Sequence, residues 1–112
     1  MLRSRRLVRG WKAFRLDRQG QLRFLFHAHK GTTVVPVGAW LEAKARWVSD
    51  AGRPYRSGFH FFRKWDDVLN FHRQTKEKYV VMTVLVAKVR PKPRTIAGSW
   101  IARYLYVPKR RR

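Results

Sequence analysis

Tyr79-Val80-Val81-Met82-Thr83-Val84-Leu85-Val86-Ala87 is an apolar run with no polar face. Side chains of an extended chain alternate between two faces, so this run offers neither of them to water. It has the length of a strand and falls well short of the roughly 18 residues of a membrane span. It therefore predicts a central strand covered on both sides, with the rest of the chain supplying the cover. A length of 112 residues, 45% of them hydrophobic and 14% aromatic, is enough for one such domain with a real core.

Residues 1–10 carry Arg3, Arg5, Arg6 and Arg9 and read as a basic arm. Trp11 to Leu16 alternates imperfectly and reads as a first strand. Asp17-Arg18-Gln19-Gly20 is a turn: the carboxylate can bond the backbone ahead and glycine supplies positive φ. Gln21 to Ala28 alternates, with Leu22, Phe24, Phe26 and Ala28 on one face. Thr32 to Val35 is a short β-branched segment ending at Pro36. Gly38 to Asp50 is ambiguous. Trp40, Ala43 and Trp47 have helical spacing and Glu42 to Arg46 is an i,i+4 pair, yet the glycine and tryptophans also suit extended chain, which is preferred.

Ser49 to Pro54 reads as a loop by composition. Tyr55 to Phe62 reads as a strand in which Gly58 marks a bulge or a close approach to the backbone. Trp65 to Arg73 predicts a helix, with Asp66 and Asp67 in its first turn and Trp65, Val68, Leu69, Phe71 and His72 on its apolar side. After the central strand, Lys88 to Arg94 holds Pro91 and Pro93 and is expected to break pairing. Trp100 to Val107 is a last strand with Trp100, Ala102, Tyr104 and Tyr106 on one face, ending at Pro108. Lys109-Arg110-Arg111-Arg112 is a second basic tail. The expected fold is α+β: a small, mostly antiparallel sheet with one principal helix, spanning 11–108 between basic arms.

The chain carries 27 Lys+Arg against 6 Asp+Glu, a net charge of +21. Such a charge repels itself and attracts polyanions, of which nucleic acid is the usual one. The competing reading is a charge excess carried only by solvated tails. The phosphate-binding candidates are Arg3, Arg5, Arg6, Arg9, Lys92, Arg94, Lys109, Arg110, Arg111 and Arg112, with Arg56 and His60 on the central motif. Basic residues are interleaved with aromatics in three places: around Trp11 and Phe14, around Tyr55 and Phe59, and around Tyr104 and Tyr106. Exposed aromatics stack on unpaired bases, while buried ones belong to the core. Phe14, Phe24, Phe26 and Phe71 fit the core by their spacing; for Tyr55, Tyr104 and Tyr106 both readings stay open.

Other chemistry has less support. There is no cysteine, so no disulfide and no thiolate metal site. His27 and His29 share a strand face, and His60 and His72 could join them, but a zinc site needs matched geometry that this spacing does not supply. No cofactor motif is present: the chain has no Gly-rich phosphate loop and no nucleophile elbow. If the chain were an enzyme, His60 would be the general base beside Arg56 and Tyr55, acting on RNA or a nucleotide.

Several segments resemble a group of small phage and prophage proteins with a Gly-Phe-His signature. They are Trp11 to Arg15, Gly38 to Ala43, Tyr55-Arg56-Ser57-Gly58-Phe59-His60, Trp65 to Leu69 and Ile101 to Pro108. The resemblance implies a phage-encoded protein acting in the cytoplasm of a bacterium, and implies no mechanism. The order of elements also looks loosely like that of ADP-ribosyltransferases, but no Asp or Glu follows Glu77 to serve as their late glutamate. Three functions follow as expectations. The first is a nucleic-acid-binding protein without membrane association. The second is a phage effector docking on a host protein complex such as a polymerase, nuclease or defence system. The third is a His60-dependent ribonuclease or nucleotide-modifying enzyme.

Overall fold

The computed structural model describes residues 6–24, 34–44, 47–50, 53–74, 78–91 and 99–109, with only the backbone given for 47–50, 53–56 and residue 74. The strands are β1 (Leu7–Leu16), β2 (Leu22–Phe24), β3 (Trp40–Glu42), β4 (Trp47–Asp50), β5 (Arg53–Arg56), β6 (Phe59–Phe62), β7 (Val80–Pro91) and β8 (Ser99–Tyr106). Among the described residues one helix forms, α1, spanning Trp65–Gln74. All pairings between these strands are antiparallel.

The apolar run is central as expected. β7 pairs β1 along one edge, from Leu7↔Ala87 to Phe14↔Val80, and β8 along the other. β6 then pairs β8 and returns to β1 through Trp11↔Phe62. The ring β1–β7–β8–β6 is therefore a closed barrel, extended by β2 on β1 and β3 on β8. The fold is more β than the expected α+β, with the helix an addition to the barrel wall.

Alternation explains the two cores. Val8, Phe14, Val84, Val86, Leu105 and Val107 point inside with Phe59 and Phe61. The opposite face of the same strands offers Trp11, Ala13, Val81 and Phe62, and α1 covers these with Val68 and Phe71. Aromatic edges lock this second layer: Phe62 and Phe71 centroids lie 5.5 Å apart, and Trp11 meets Trp65 at 5.5 Å. So the central run is covered inside by the barrel but outside only at one end, by the helix, and not along both faces as expected: Thr83 is exposed and Leu85 half-buried. Leu69 and Trp65, expected on the buried side of α1, are instead 39% and 48% exposed. His72 is also exposed, its Nδ1 hydrogen-bonded to Tyr79 Oη at 2.6 Å.

The first turn forms as its residues dictate. The Gln19 and Gln21 amides donate to Asp17 Oδ1 at 2.9 and 2.8 Å, Arg23 Nε donates to Oδ2 at 2.8 Å, and Gly20 has φ of 81°. The Gln21 amide, ahead of Arg23 and Gln19, holds the Asp17 carboxyl below its ordinary value.

Several boundaries differ from expectation. Residues 7–10 are not arm: they open β1, because Leu7 to Gly10 pair Val84 to Ala87. Trp40 to Glu42 is extended, as preferred, and Glu42 bonds Arg103 across strands; Arg46 lies outside the described residues. Ser49, Asp50, Arg53 and Pro54 are strand, not loop: β4 and β5 pair as a hairpin from Trp47↔Arg56 to Asp50↔Arg53. The Tyr55–Phe62 run is split at Ser57–Gly58 between this hairpin and the barrel. Pairing continues past Lys88 to Pro91↔Trp100, so Pro91 ends the ladder and does not interrupt it. Lys88 itself takes φ of 53°, and it and Arg103 drop out of the ladder there. Inward-facing positions shift parity at that point. Ala102 and Leu105 both reach the core, where Trp100, Ala102, Tyr104 and Tyr106 were expected to share one face.

Candidate nucleic-acid interface

One end of the outer sheet face is left uncovered by α1, and its side chains follow from register. Val8, Val86, Leu105 and Leu41 lie in neighbouring positions across β1, β7, β8 and β3 and point into the core. Their sequence neighbours must point out. Arg9, Leu85, Tyr106 and Trp40 thus form one outward row, in which Leu85 and Tyr106 are half-buried; Leu7, Ala87, Tyr104 and Glu42 form the next, in which Ala87 is fully covered by its neighbours. Arg9 is exposed, Leu7 is 49% exposed and Trp40 36% exposed. The Trp40 and Tyr106 rings pack with centroids 5.5 Å apart and planes tilted by 44°. Three strand spacings set the row at about 14 Å from Arg9 to Trp40.

Positive charge borders this aromatic face. Arg6, just before β1, and Lys88 are exposed. Lys109 is exposed and lies beside Gly38, whose amide donates to the Val107 carbonyl at 2.7 Å. Arg103 lies 5.5 Å from the Tyr104 ring centroid and donates Nε and one terminal nitrogen to Glu42 Oε2 at 3.0 and 2.7 Å. The bond to Glu42, with Tyr104 and Glu42 charge behind it, raises the Arg103 guanidinium above its ordinary value. Glu42 neutralises part of the charge at this corner and fixes the arginine over the ring.

The structure therefore brings Arg9, from the basic–aromatic segment near the start of the chain, in line with Tyr106 from the one near its end, while Trp11 and Phe14 of the first segment pack elsewhere. Arg6, Arg9 and Lys109 belong to this region. Phe14 and Phe59 do not, since both are buried in the barrel. Arg3, Arg5, Lys92, Arg94, Arg110, Arg111 and Arg112, with His27 and His29, lie outside the described residues. Arg56 and Tyr55 are placed by their backbone in β5 only. His60 sits elsewhere. It is half-buried on β6, in a row with Ile101 and Arg90 beyond the Lys88 break, where an Arg90 terminal nitrogen lies 3.4 Å from the Ser57 carbonyl. Among the described residues no group of three His, Asp or Glu is placed to hold a metal ion.

One residue escaped the sequence reading. Lys12 shares parity with Val8, Gly10 and Phe14 and points into the barrel, where it is only 6% exposed. Its Nζ donates to the His60 carbonyl at 2.6 Å and lies 5.8 Å from the Phe14 and Phe24 centroids. Burial lowers its pKa from 10.5 to about 7. The parity of Val8 and Phe14 was the available signal.

No protein-family model, curated protein or solved structure matches this chain. Among the described residues, no helix is long and apolar enough to cross a membrane.

Proposed function

We propose that this protein binds nucleic acid, RNA or DNA, through phosphate contacts and without catalysis, in the cytoplasm, that of a bacterial host if the protein is phage-encoded. The observation that carries this reading is charge joined to geometry. A chain of net +21 sets Arg9 in one row with Tyr106 and Trp40, with Arg6 and Lys109 at the borders. A polyanion whose units alternate charged backbone and flat rings complements such a face. Solvated tails alone would not explain an exposed Trp40 and a part-exposed Tyr106 in line with Arg9.

The test is an anisotropy titration with a labelled oligonucleotide at several salt concentrations. Binding should weaken by at least ten-fold between about 50 and 200 mM salt, because each phosphate neutralised releases counterions. Binding indifferent to salt, or absent at the lowest salt, overturns the reading. The second reading is a phage effector whose basic face docks on an acidic host protein. It gains ground if nucleic acid fails and an acidic protein co-purifies from host extract with salt-sensitive affinity.

A further inference from the structure

We infer that the uncovered face takes an unpaired strand, RNA or single-stranded DNA, with bases laid on Tyr106 and Trp40 and phosphates held by Arg9 and its basic neighbours. This rests on the nucleic-acid reading above and narrows its ligand. Arg9, Leu85, Tyr106 and Trp40 stand side by side on four adjacent strands, so cation, aliphatic patch and rings form one continuous surface. Within a duplex the base faces are already stacked on one another. It presents phosphates and base edges, and would leave Trp40, Leu85 and Tyr106 without a partner. Unpaired bases have free faces that need such a surface, and stacking on it is indifferent to base identity. A second copy of this chain is a poor occupant, because two chains of net +21 would bring like charge together across Arg9. α1 defines one limit of the surface: Trp11, half-buried, already meets Trp65 at 5.5 Å. Glu42 defines another, since an anion is disfavoured beside its carboxylate, so the backbone should track along the Arg9 side.

The experiment compares mixed-sequence single-stranded RNA, single-stranded DNA and duplex DNA of about 12 nucleotides, within the span of one small β-barrel. Wild type, Trp40→Ala, Tyr106→Ala and Trp40→Phe are titrated at one salt concentration. Single strands should bind at least about ten-fold tighter than duplex. Each alanine variant should weaken single-strand binding by about five- to hundred-fold and leave duplex binding within about two-fold. Trp40→Phe, which keeps a ring, should retain most of the affinity. Duplex binding as tight as single strand, or alanine variants that bind single strand like wild type, would overturn the inference while leaving the broader reading in place. Failure to bind any nucleic acid at low salt removes both. Trp40 is part-exposed, so its truncation does not empty the core. Should Tyr106→Ala lose its β-sheet circular dichroism, photocrosslinking of wild type to a thiouridine-containing strand decides: adducts on β3 or β8 support the inference, and adducts only elsewhere overturn it.

Discussion

Lys12 sets an ionisable amine against an apolar barrel interior, and the consequence is a stability that depends on pH. In the unfolded chain it titrates at its ordinary 10.5; in the barrel, burial brings it to about 7. Between those values the unfolded chain binds the extra proton, so stability should rise with pH from about 7 toward 10.5. Below about 7 the cost of the buried charge is fully present. Its ceiling, from the size of the shift, is about 5 kcal/mol. Lys12→Met removes that cost but also removes the hydrogen bond from Lys12 Nζ to the His60 carbonyl, a loss of about 1–3 kcal/mol. The net expectation is a variant more stable by about 1–3 kcal/mol at pH 7, with the advantage shrinking at pH 10. Urea unfolding of both proteins at the two pH values measures it. If the difference between wild type and variant stays constant with pH, Lys12 is not the titrating group.

At the level of elements, the barrel depends on how closely β6 and the chain leading into it can approach β1 and β8. Two glycines permit this. A Cβ on Gly10 would stand 2.6 Å from Phe61 Cδ2 and 2.8 Å from the Phe62 carbonyl oxygen. A Cβ on Gly58 would overlap Ile101 Cγ2 and come 2.8 Å from the Ala102 carbonyl oxygen. In both cases one obstacle is backbone, which cannot rotate aside, so β6 itself would have to move. Gly10→Ala and Gly58→Ala should each destabilise by about 1–3 kcal/mol, the usual cost of overpacking, seen as a lower melting temperature. Gly20→Ala is the contrast: nothing lies within 4 Å, and only its φ of 81° opposes the change, so its cost should be nearer 1 kcal/mol. Equal effects at all three positions would argue against closure as the reason for Gly10 and Gly58. The helix has a simpler logic. Asp66 and Asp67 occupy its first turn and Arg73 its last, each favourable to the helix dipole.

For the whole molecule the decisive quantity is where the net charge of +21 meets apolar surface. The face bearing Arg9 and Trp40 is one such place. Arg6 and Arg9 are exposed beside it, so changing both to serine should flatten the dependence of log affinity on log salt by about two units, one per lost phosphate contact. Arg18→Ser, in the turn at the opposite end of β1, removes equal charge per residue away from the face and should leave the slope within about half a unit. If all three arginines count alike, affinity follows total charge and the face has no special part in it.

Much of this architecture could be read directly from residue order. The nine-residue apolar run dictated a central strand paired on both edges, although its outer face is covered only where α1 lies. The Asp17–Gly20 turn and α1 were legible because their causes are local: a carboxylate within reach of nearby amides, and periodicity with acidic residues in the first turn. Closure was not legible, since it rests on contacts between residues far apart in sequence, such as Gly10 with Phe61 and Gly58 with Ile101. The same holds for the candidate site. The sequence announced positive charge and interleaved aromatics, but whether Tyr104 and Tyr106 faced the core depended on the break at Lys88 and Arg103, where both strands shift parity. Register then set Arg9 in line with Tyr106 and Trp40 and left His60 in a different row. Composition and local pattern act through neighbours along the chain. Which distant side chains share a surface is decided only when the strands pair, because a shift of one residue turns every side chain to the opposite face.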